Sequence, residues 1–529
     1  MMRHKTARVL ARLAGALFCA AFAFVVVSIL CLNQHPPLWF YAACALGGGG
    51  LWLLFGFLTR HPRGAWRAYP WLLLGILLVL PVIQSVLGMR LEIDPFADFG
   101  AVLHGAREWV QDGTFCMAWD REFYFYIYPH NLGLTALLAL LFRAVDALGG
   151  DCFYLAAVVL NSVLATCSIL LCADILRRTL GYAAGVTGAV LFLLLPPFYV
   201  LGTVFYTDVM SFCFPLLALW LSLLARGRSL RRRWYLDVLL ALTAFVGYHI
   251  KATVLIMVVA IWIGMGLRGQ WRALLSQAAA VVCVFVAGTL LWNAWLFSTY
   301  LDADLARENA LPMVNWLVLG VSADEDAELF GETAFEAVFY GGDTAAAREQ
   351  AGWQAFRARF AQRQREGLLG YYARKMAVAM GSGTLGLSDF LDDNPWNDTA
   401  LHDYVLYDGV HYPAYDAYCS GIMLALLLLA LAGGVRLALR GQEKSTQCVE
   451  VWVALIGVFL FLLFWEPRDR YFSNYFCVLV IAAVSGLHAL YSACRLPADA
   501  FNQIKRGVFN SLGGFRKKRE GRFIFFNVP

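Results

Sequence analysis

The run LGLTALLALLFRAVDAL, Leu132 to Leu148, decides how the rest of this chain is placed. It is apolar enough to cross a membrane. With Arg143 and Asp146 near its end, it is also amphipathic enough to lie along one. Its neighbours choose between the two. If it crosses, four basic segments fall outside: the pair Arg177-Arg178, the cluster RGRSLRRR (226–233), the loop RGQWR (268–272) and the tail RKKREGR (516–522). If it lies at the outer surface or re-enters, all four fall inside. Inner loops carry the excess of Lys and Arg. Four agreeing loops therefore make Leu132–Leu148 interfacial.

Outward from that run the chain reads as membrane spans. Of 529 residues, 60% are hydrophobic and 15% charged, a balance that no water-soluble domain of this size requires. The fold class expected is an all-α polytopic membrane protein with about twelve transmembrane helices, at 13–32, 38–58, 70–88, 153–175, 180–201, 208–225, 234–249, 251–267, 274–298, 417–437, 449–465 and 472–493. Arg3, Lys5, Arg8 and Arg12 precede the first run, which lacks a small-residue cleavage site and reads as a span rather than a removable signal. Both termini are thereby inside, and a bacterial-type plasma membrane is the expected location. The net charge of +5 says little, and no P-loop, dinucleotide fingerprint, repeat or nucleic-acid signature appears. The thirteen cysteines lie mostly in apolar runs and show no metal-ligand spacing. Cys116 and Cys152 could bond if both lie outside, but nothing in the sequence requires it.

Five parts follow: an N-terminal hairpin (1–69), a membrane core (70–298) with its first outer loop (89–151), a large outer region (299–416), C-terminal spans (417–494) and a basic tail (495–529). Residues 299–416 hold 19 acidic and 8 basic side chains, which agrees with an outer position. Within them, 344–380 has a helical pattern with an Arg-rich face and an apolar one carrying Trp353, Phe356, Phe360, Leu368 and Tyr372. That suits a helix on the membrane surface or one packed inside a small outer domain. Residues 389–416 read as an ordered loop, and the sequon Asn397-Asp398-Thr399 is taken as chance.

This topology gathers polar groups at the outer boundary. The stretch RLEIDPFADFGAVLHGAREWVQDGTFCMAWDREFYFYIYPHN (90–131) brings Glu92, Asp94 and Asp98 at its start and Tyr128, His130 and Asn131 at its end. Tyr206-Thr207-Asp208 and the pair His249 and Lys251 sit at two short outer turns, and Glu466, Arg468, Asp469 and Arg470 at a third. Charges at a membrane boundary are costly and mark function more often than chance. A lipid-phosphate sugar donor needs such a set: a carboxylate to take the acceptor proton, and cations to hold the leaving phosphate. Asp98 and Asp208 fit the first role; Arg468, Arg470, His130 and Lys251 fit the second. Each also has a plainer reading. Asp208 could cap a helix, Lys251 could pair with Asp208, the arginines could snorkel, and Asp94 before Pro95 could start a turn.

The segments PFADFGAVLHGAREWVQDGTF (95–115), YPHNLGLTALLALL (128–141), FYTDVMSFCFPLLAL (205–219), YHIKATVLIMV (248–258) and EPRDRYFSNYF (466–476) resemble, in order and sidedness, the GT-C superfamily of membrane glycosyltransferases. These include the protein O-mannosyltransferases and the aminoarabinose transferase of lipid A. The resemblance implies interfacial helices in the first outer loop, a polyprenyl-phosphate-sugar donor and inverting transfer to a cell-envelope glycan, lipid or protein. It makes Asp98 the base and Asp208 a second acid; Tyr128, Asn131, Tyr206 and Glu466 are further site candidates by their place at the same boundary. His130 stands at the position where relatives bind phosphate. The first outer loop holds no DxD, Glu92-Ile93-Asp94 having the spacing but not the letters, so no cofactor is assigned, and metal use stays open. A transporter or flippase of a lipid-linked solute is the alternative, though no mid-span acid of the ion-coupling kind is seen.

Overall fold

The structure is a computed structural model that describes residues 2–32, 37–113, 124–322, 337–391, 399–441 and 448–494. The candidate disulfide partner Cys116, most of the sequon and the basic tail lie outside them; Cys152 is an exposed free thiol. The chain is an all-α polytopic membrane protein. Its main helices, in order, are α1 (Thr6–Leu32), α2 (Leu38–Arg60), α3 (Pro62–Arg90), α4 (Ala97–Gln111), α5 (Leu132–Ala147), α6 (Phe153–Leu180), α7 (Tyr182–Leu193), α8 (Thr207–Ala225), α9 (Leu230–Ile250), α10 (Leu255–Leu267), α11 (Trp271–Thr299), α12 (Val314–Ser322), α13 (Ala345–Glu366), α14 (Leu368–Gly381), α15 (Tyr412–Arg440), α16 (Val449–Phe464) and α17 (Phe476–Cys494).

Among the described residues, eight helices are long and apolar enough to cross a membrane: α1, α2, α3, α6, α8, α11, α15 and α17. A bent pair would make a ninth. The expected count of twelve included three helices that fall short of this measure. α9 opens on Arg231, Arg232 and Arg233, and α16 and the segment Ala252–Leu267 are short. α5 is not among the eight either. It packs along α4, the helix that carries Asp98.

The expected span at 180–201 is broken rather than straight. α7 stops before Pro196-Pro197, and the chain leaves at 69° through Pro197–Thr203. Two prolines remove two backbone donors and block the helix. The carbonyls thus freed could not stay bare inside a membrane. The Leu195 N–H answers Phe192 and the Tyr199 hydroxyl answers Leu193 (2.8 Å), while beyond the break Asn161 of α6 donates from Nδ2 to Leu201 (2.6 Å), Gly202 (3.3 Å) and Val204 (2.8 Å). Gln84 of α3 donates to the Phe198 carbonyl at 2.5 Å. Two buried amides therefore fix the bend, and the bend delivers Tyr206 and Asp208 to the head of α8.

At one end of the bundle the basic loops come together. Arg226 and Arg268 both pair with the buried Glu450 carboxylate, at 2.7 and 2.6 Å. Arg233 pairs with Asp237 at 2.7 Å, and Gln277 of α11 donates to the same acid at 3.2 Å. α9 and α11 run from this end to the other, where His249 meets Trp292 at 5.1 Å between ring centroids. In the core, α15 and α17 approach so closely that a Cβ on Gly486 would stand 1.7 Å from the Leu429 carbonyl oxygen, a contact open only to glycine.

The expected single helix at 344–380 is two helices, α13 and α14. They part at Gly367, whose φ of 103° belongs to the left-handed side that glycine alone enters freely. α13 packs on α12 over a small apolar cluster of its own, with Leu311, Val314, Val318 and Phe356. That is the packing of a helix inside a small unit with its own core rather than of one lying alone on a surface. α14 instead lies against α1 and joins the main core through Met376 and Met380.

Candidate active site

Opposite the basic end, the turns carrying the expected acids and cations meet. Asp98 stands in the first turn of α4, half-buried. Its Oδ1 accepts the Tyr124 hydroxyl at 2.7 Å. Asn131 Nδ2 donates to that same Tyr124 oxygen at 2.7 Å, and Tyr206 donates to Asn131 Oδ1 at 3.3 Å. Burial, and then the Asp98 charge, raises the pKa of both tyrosines well above the usual phenol range. Both thus keep their protons and act as donors. The chain Tyr206–Asn131–Tyr124–Asp98 points one carboxylate and leaves its other oxygen without a hydrogen bond from the described residues.

Asp208 has a different setting. It is 2% exposed and forms an ion pair with Lys251. Its side chain makes no helix cap; Tyr206 holds that position. Lys251 also stands 5.0 Å above the Tyr471 ring. Tyr475 donates to the Thr253 carbonyl at 2.9 Å, and Asn474 to the Thr253 hydroxyl at 2.8 Å. These bonds tie the Lys251 turn to the turn carrying Arg470.

The two arginines differ in the same way. Arg468 reaches Glu466 at 3.4 Å and Asp389 at 3.5 Å, so two carboxylates hold it. Glu466 also accepts the Tyr471 hydroxyl at 2.8 Å. Arg470 has no carboxylate within ion-pair distance among the described residues. Its guanidinium lies 5.2 Å from the Tyr471 ring and 5.4 Å from Phe390, and its buried Nε has no hydrogen-bond partner. Phe390 is also 5.6 Å from Tyr206 and 6.0 Å from Phe99, beside Asp98. An open cation and an oriented carboxylate therefore flank one aromatic patch.

Several expected residues lie elsewhere. Glu92 and Asp94 face the other side of α4. Asp94 is 3.8 Å from His104, and burial raises the Glu92 pKa while Arg107 lowers it. His130 and Tyr128 stay beside the site: burial lowers the His130 pKa while the Asp98 charge raises it, its ring meets Trp316 at 5.6 Å, and the Tyr128 ring lies 5.0 Å from Tyr124. His249 is packed among Phe245, Tyr248 and Trp292. Among the described residues no three His, Cys, Asp or Glu side chains are grouped to hold a metal.

The sequence reading missed Tyr124, Asp389, Phe390 and Tyr471, and it gave Asp469 no role. The segment carrying Asp389 and Phe390 turns into the site through Leu385 and Gly386, both at positive φ (63° and 68°). A Cβ on Gly386 would stand 2.7 Å from Asp469 Oδ1 and 2.9 Å from the Arg470 nitrogen. The pattern Gly381-Ser-Gly-Thr-Leu-Gly386 was the available signal for such a close approach. Asp469 is drawn up to a pKa of about 7, first by burial and then by the neighbouring Asp389 charge.

The chain belongs to the family described as conserved hypothetical integral membrane protein, whose model matches residues 76–489. Among solved structures it is similar to the archaeal oligosaccharyltransferase AglB from Archaeoglobus fulgidus in complex with an inhibitory peptide and a dolichol-phosphate. That similarity has a TM-score of 0.39 at 14% identity and covers 80% of this chain and 51% of that one. The chain thus spans about half the length of that protein. No curated protein matches the chain.

Proposed function

We propose that this protein is a membrane glycosyltransferase. It takes a sugar from a polyprenyl-phosphate donor and passes it, with inversion, to a glycan, lipid or protein acceptor of the cell envelope at the outer face. The observation that carries this reading is Arg470, which donates to the Tyr471 hydroxyl at 3.4 Å but has no carboxylate at ion-pair distance among the described residues and an unpartnered buried Nε, set across an aromatic patch from the oriented Asp98. The acceptor oxygen attacks the anomeric carbon as the bond from that carbon to the phosphate oxygen breaks. The acceptor proton goes to the open oxygen of Asp98. The bonding electrons leave with the phosphate, whose growing charge Arg470 meets with a planar fork of donors. Phe99, Tyr206 and Phe390 shield the site from water, and the lipid chain stays in the bilayer. The motif order shared with the GT-C superfamily supports the same class. Purified protein in nanodiscs would be incubated with radiolabelled polyprenyl-phosphate hexoses and a membrane extract. Label is expected in the acceptor fraction; its absence with every donor would sink the reading.

The break between α7 and Pro197–Thr203 favours a second reading, a transporter or flippase of a lipid-linked solute, because broken helices line transport sites. A flux assay in proteoliposomes separates the two.

A further inference from the structure

We propose that the groove between α3, α6 and α8, at the Arg-rich end of the bundle, is a site for an anionic phospholipid. It is distinct from the transfer site and independent of the reading given to that site. The groove measures about 980 Å³. Each helix turns one stripe into it at helical spacing: Trp66, Pro70 and Leu73 from α3; Leu164, Cys167, Leu171 and Asp174 from α6; Cys213, Leu217 and Trp220 from α8. From Leu164 to Arg177 the wall climbs roughly 20 Å at the usual helical rise. That exceeds one leaflet's share, about 15 Å, of the hydrocarbon core. Its lower part is apolar, which suits an acyl chain.

The upper end is polar and charged. Asp174 is the carboxylate there, and it is fully used: Arg177 lies at 2.6 Å, Arg178 at 2.5 Å, Trp220 Nε1 donates at 2.8 Å and Tyr69 at 3.3 Å. Arg177 further rests over the Tyr69 and Tyr182 rings, at 5.7 and 5.6 Å. Arg67 lines the same mouth, is exposed, and has no acid within ion-pair distance among the described residues. Three guanidiniums against one carboxylate leave two positive charges at headgroup depth. Trp66 and Trp71, 56% and 73% exposed, flank the opening as indoles do at the membrane interface. An apolar slot under two uncompensated cations matches one ligand chemistry, a fatty chain below an anionic head.

The test uses the full chain in mixed micelles with equal amounts of phosphatidylglycerol and phosphatidylcholine of the same acyl chains. Co-purifying lipid is counted by mass spectrometry. One or two basic side chains acting on a headgroup imply roughly a five- to thirty-fold preference for phosphatidylglycerol. Arg67→Glu, at an exposed position that folding does not need, should erase the preference and keep the thermal midpoint. Arg272→Glu, an exposed arginine at the same end but away from the groove, should leave it intact. Leu170→Trp, which fills the groove, should lower retention of both lipids. Equal retention of the two lipids by the natural protein overturns the proposal. So does an unchanged preference in Arg67→Glu, or an equal loss in Arg272→Glu, since that would reduce the effect to general surface charge.

Discussion

At the residue scale, pairing sorts the charged groups by task. Asp208 and Lys251 contact one another in a buried setting, where burial and then the Arg470 charge press the Lys251 pKa well below its usual value, and Arg468 is held by two acids. Asp98 and Arg470 are the pair left with open valence. Asp98→Asn keeps the Tyr124 contact and loses basicity, so turnover should fall by roughly 100-fold or more while donor binding survives. Arg470→Ala should weaken donor binding as well, because the charge acts before and during transfer. Single-turnover and KM measurements separate the two, and full activity in Asp98→Asn would pass the base role to Asp208. Asp208→Asn should cost about 3–5 kcal/mol of stability, because it strands a buried lysine. Asp208→Asn with Lys251→Met should regain most of that in thermal melts; activity that returns with the melt would mean the pair only builds the site. Asp469 sets a pH dependence. Its carboxyl rises from 3.8 to about 7 on folding, so the folded state holds the extra proton. Its contribution is complete below pH 3.8 and is lost as pH rises through about 7. Melting temperature should therefore fall across that window, and Asp469→Asn should flatten the fall. Asp98, Arg470, Lys251 and Asp208 were legible as residue types on one side of a membrane. Which of them is free was not, because that depends on Asp389 and Tyr471, whose approach no local spacing records.

At the element scale, bends and breaks place the site. Pro196-Pro197 was legible as an ending, and 180–201 was nevertheless expected to run straight. Hydropathy counts apolar residues, and the bent segment is as apolar as a straight one. What makes the bend tolerable is Asn161, some forty positions earlier in the chain, whose single amide serves three carbonyls. Asn161→Ala leaves Leu201 with only the Val204 N–H and removes the Asn161 donor from Gly202 and Val204, and should cost about 1–3 kcal/mol for each carbonyl that water cannot reach. Asn161→Asp should do no better, because a carboxylate has no N–H to give. Because the bend carries Tyr206 and Asp208, activity should fall further than stability does; proportionate loss of both would show that the bend only holds the bundle together. The break at Gly367 has the opposite history. Its glycine was in plain view inside a helical pattern, but a lone glycine in a helix is tolerated at about 1 kcal/mol, so periodicity alone favoured continuity.

At the scale of the whole molecule, the structure has two unlike ends joined by the same helices. α9 begins beside the buried Arg233–Asp237 pair and ends at His249 and Lys251. Arg226, Arg268 and Glu450 meet at the first end; Asp98, Asp208 and Arg470 stand at the second. This separation was legible in the distribution of arginines along the chain, because the membrane imposes it on every loop at once. The parity that gave it rests on α5 staying out of the bilayer core. α5 has 16 residues, with Asp146 exposed close to its end, while Arg228 is exposed in the loop before α9. A cysteine at Asp146 should react on intact cells with an impermeant maleimide, and one at Arg228 only after permeabilisation. Background from the native exposed thiols is subtracted with the unsubstituted protein. Both sites reacting from the same side would mean that the bent segment from α7 to Thr203 does not cross, because α6, that segment and α8 are all that separate Asp146 from Arg228. Reaction of Arg228 alone on intact cells would put the turns carrying Asp208 and Arg470 on the cytoplasmic side, either because α5 crosses and separates them from the loop carrying Asp98 or because the whole molecule is inverted. A lipid-linked donor is needed only where nucleotide-activated sugars are absent, so that single result would remove the reason for a polyprenyl carrier at Arg470.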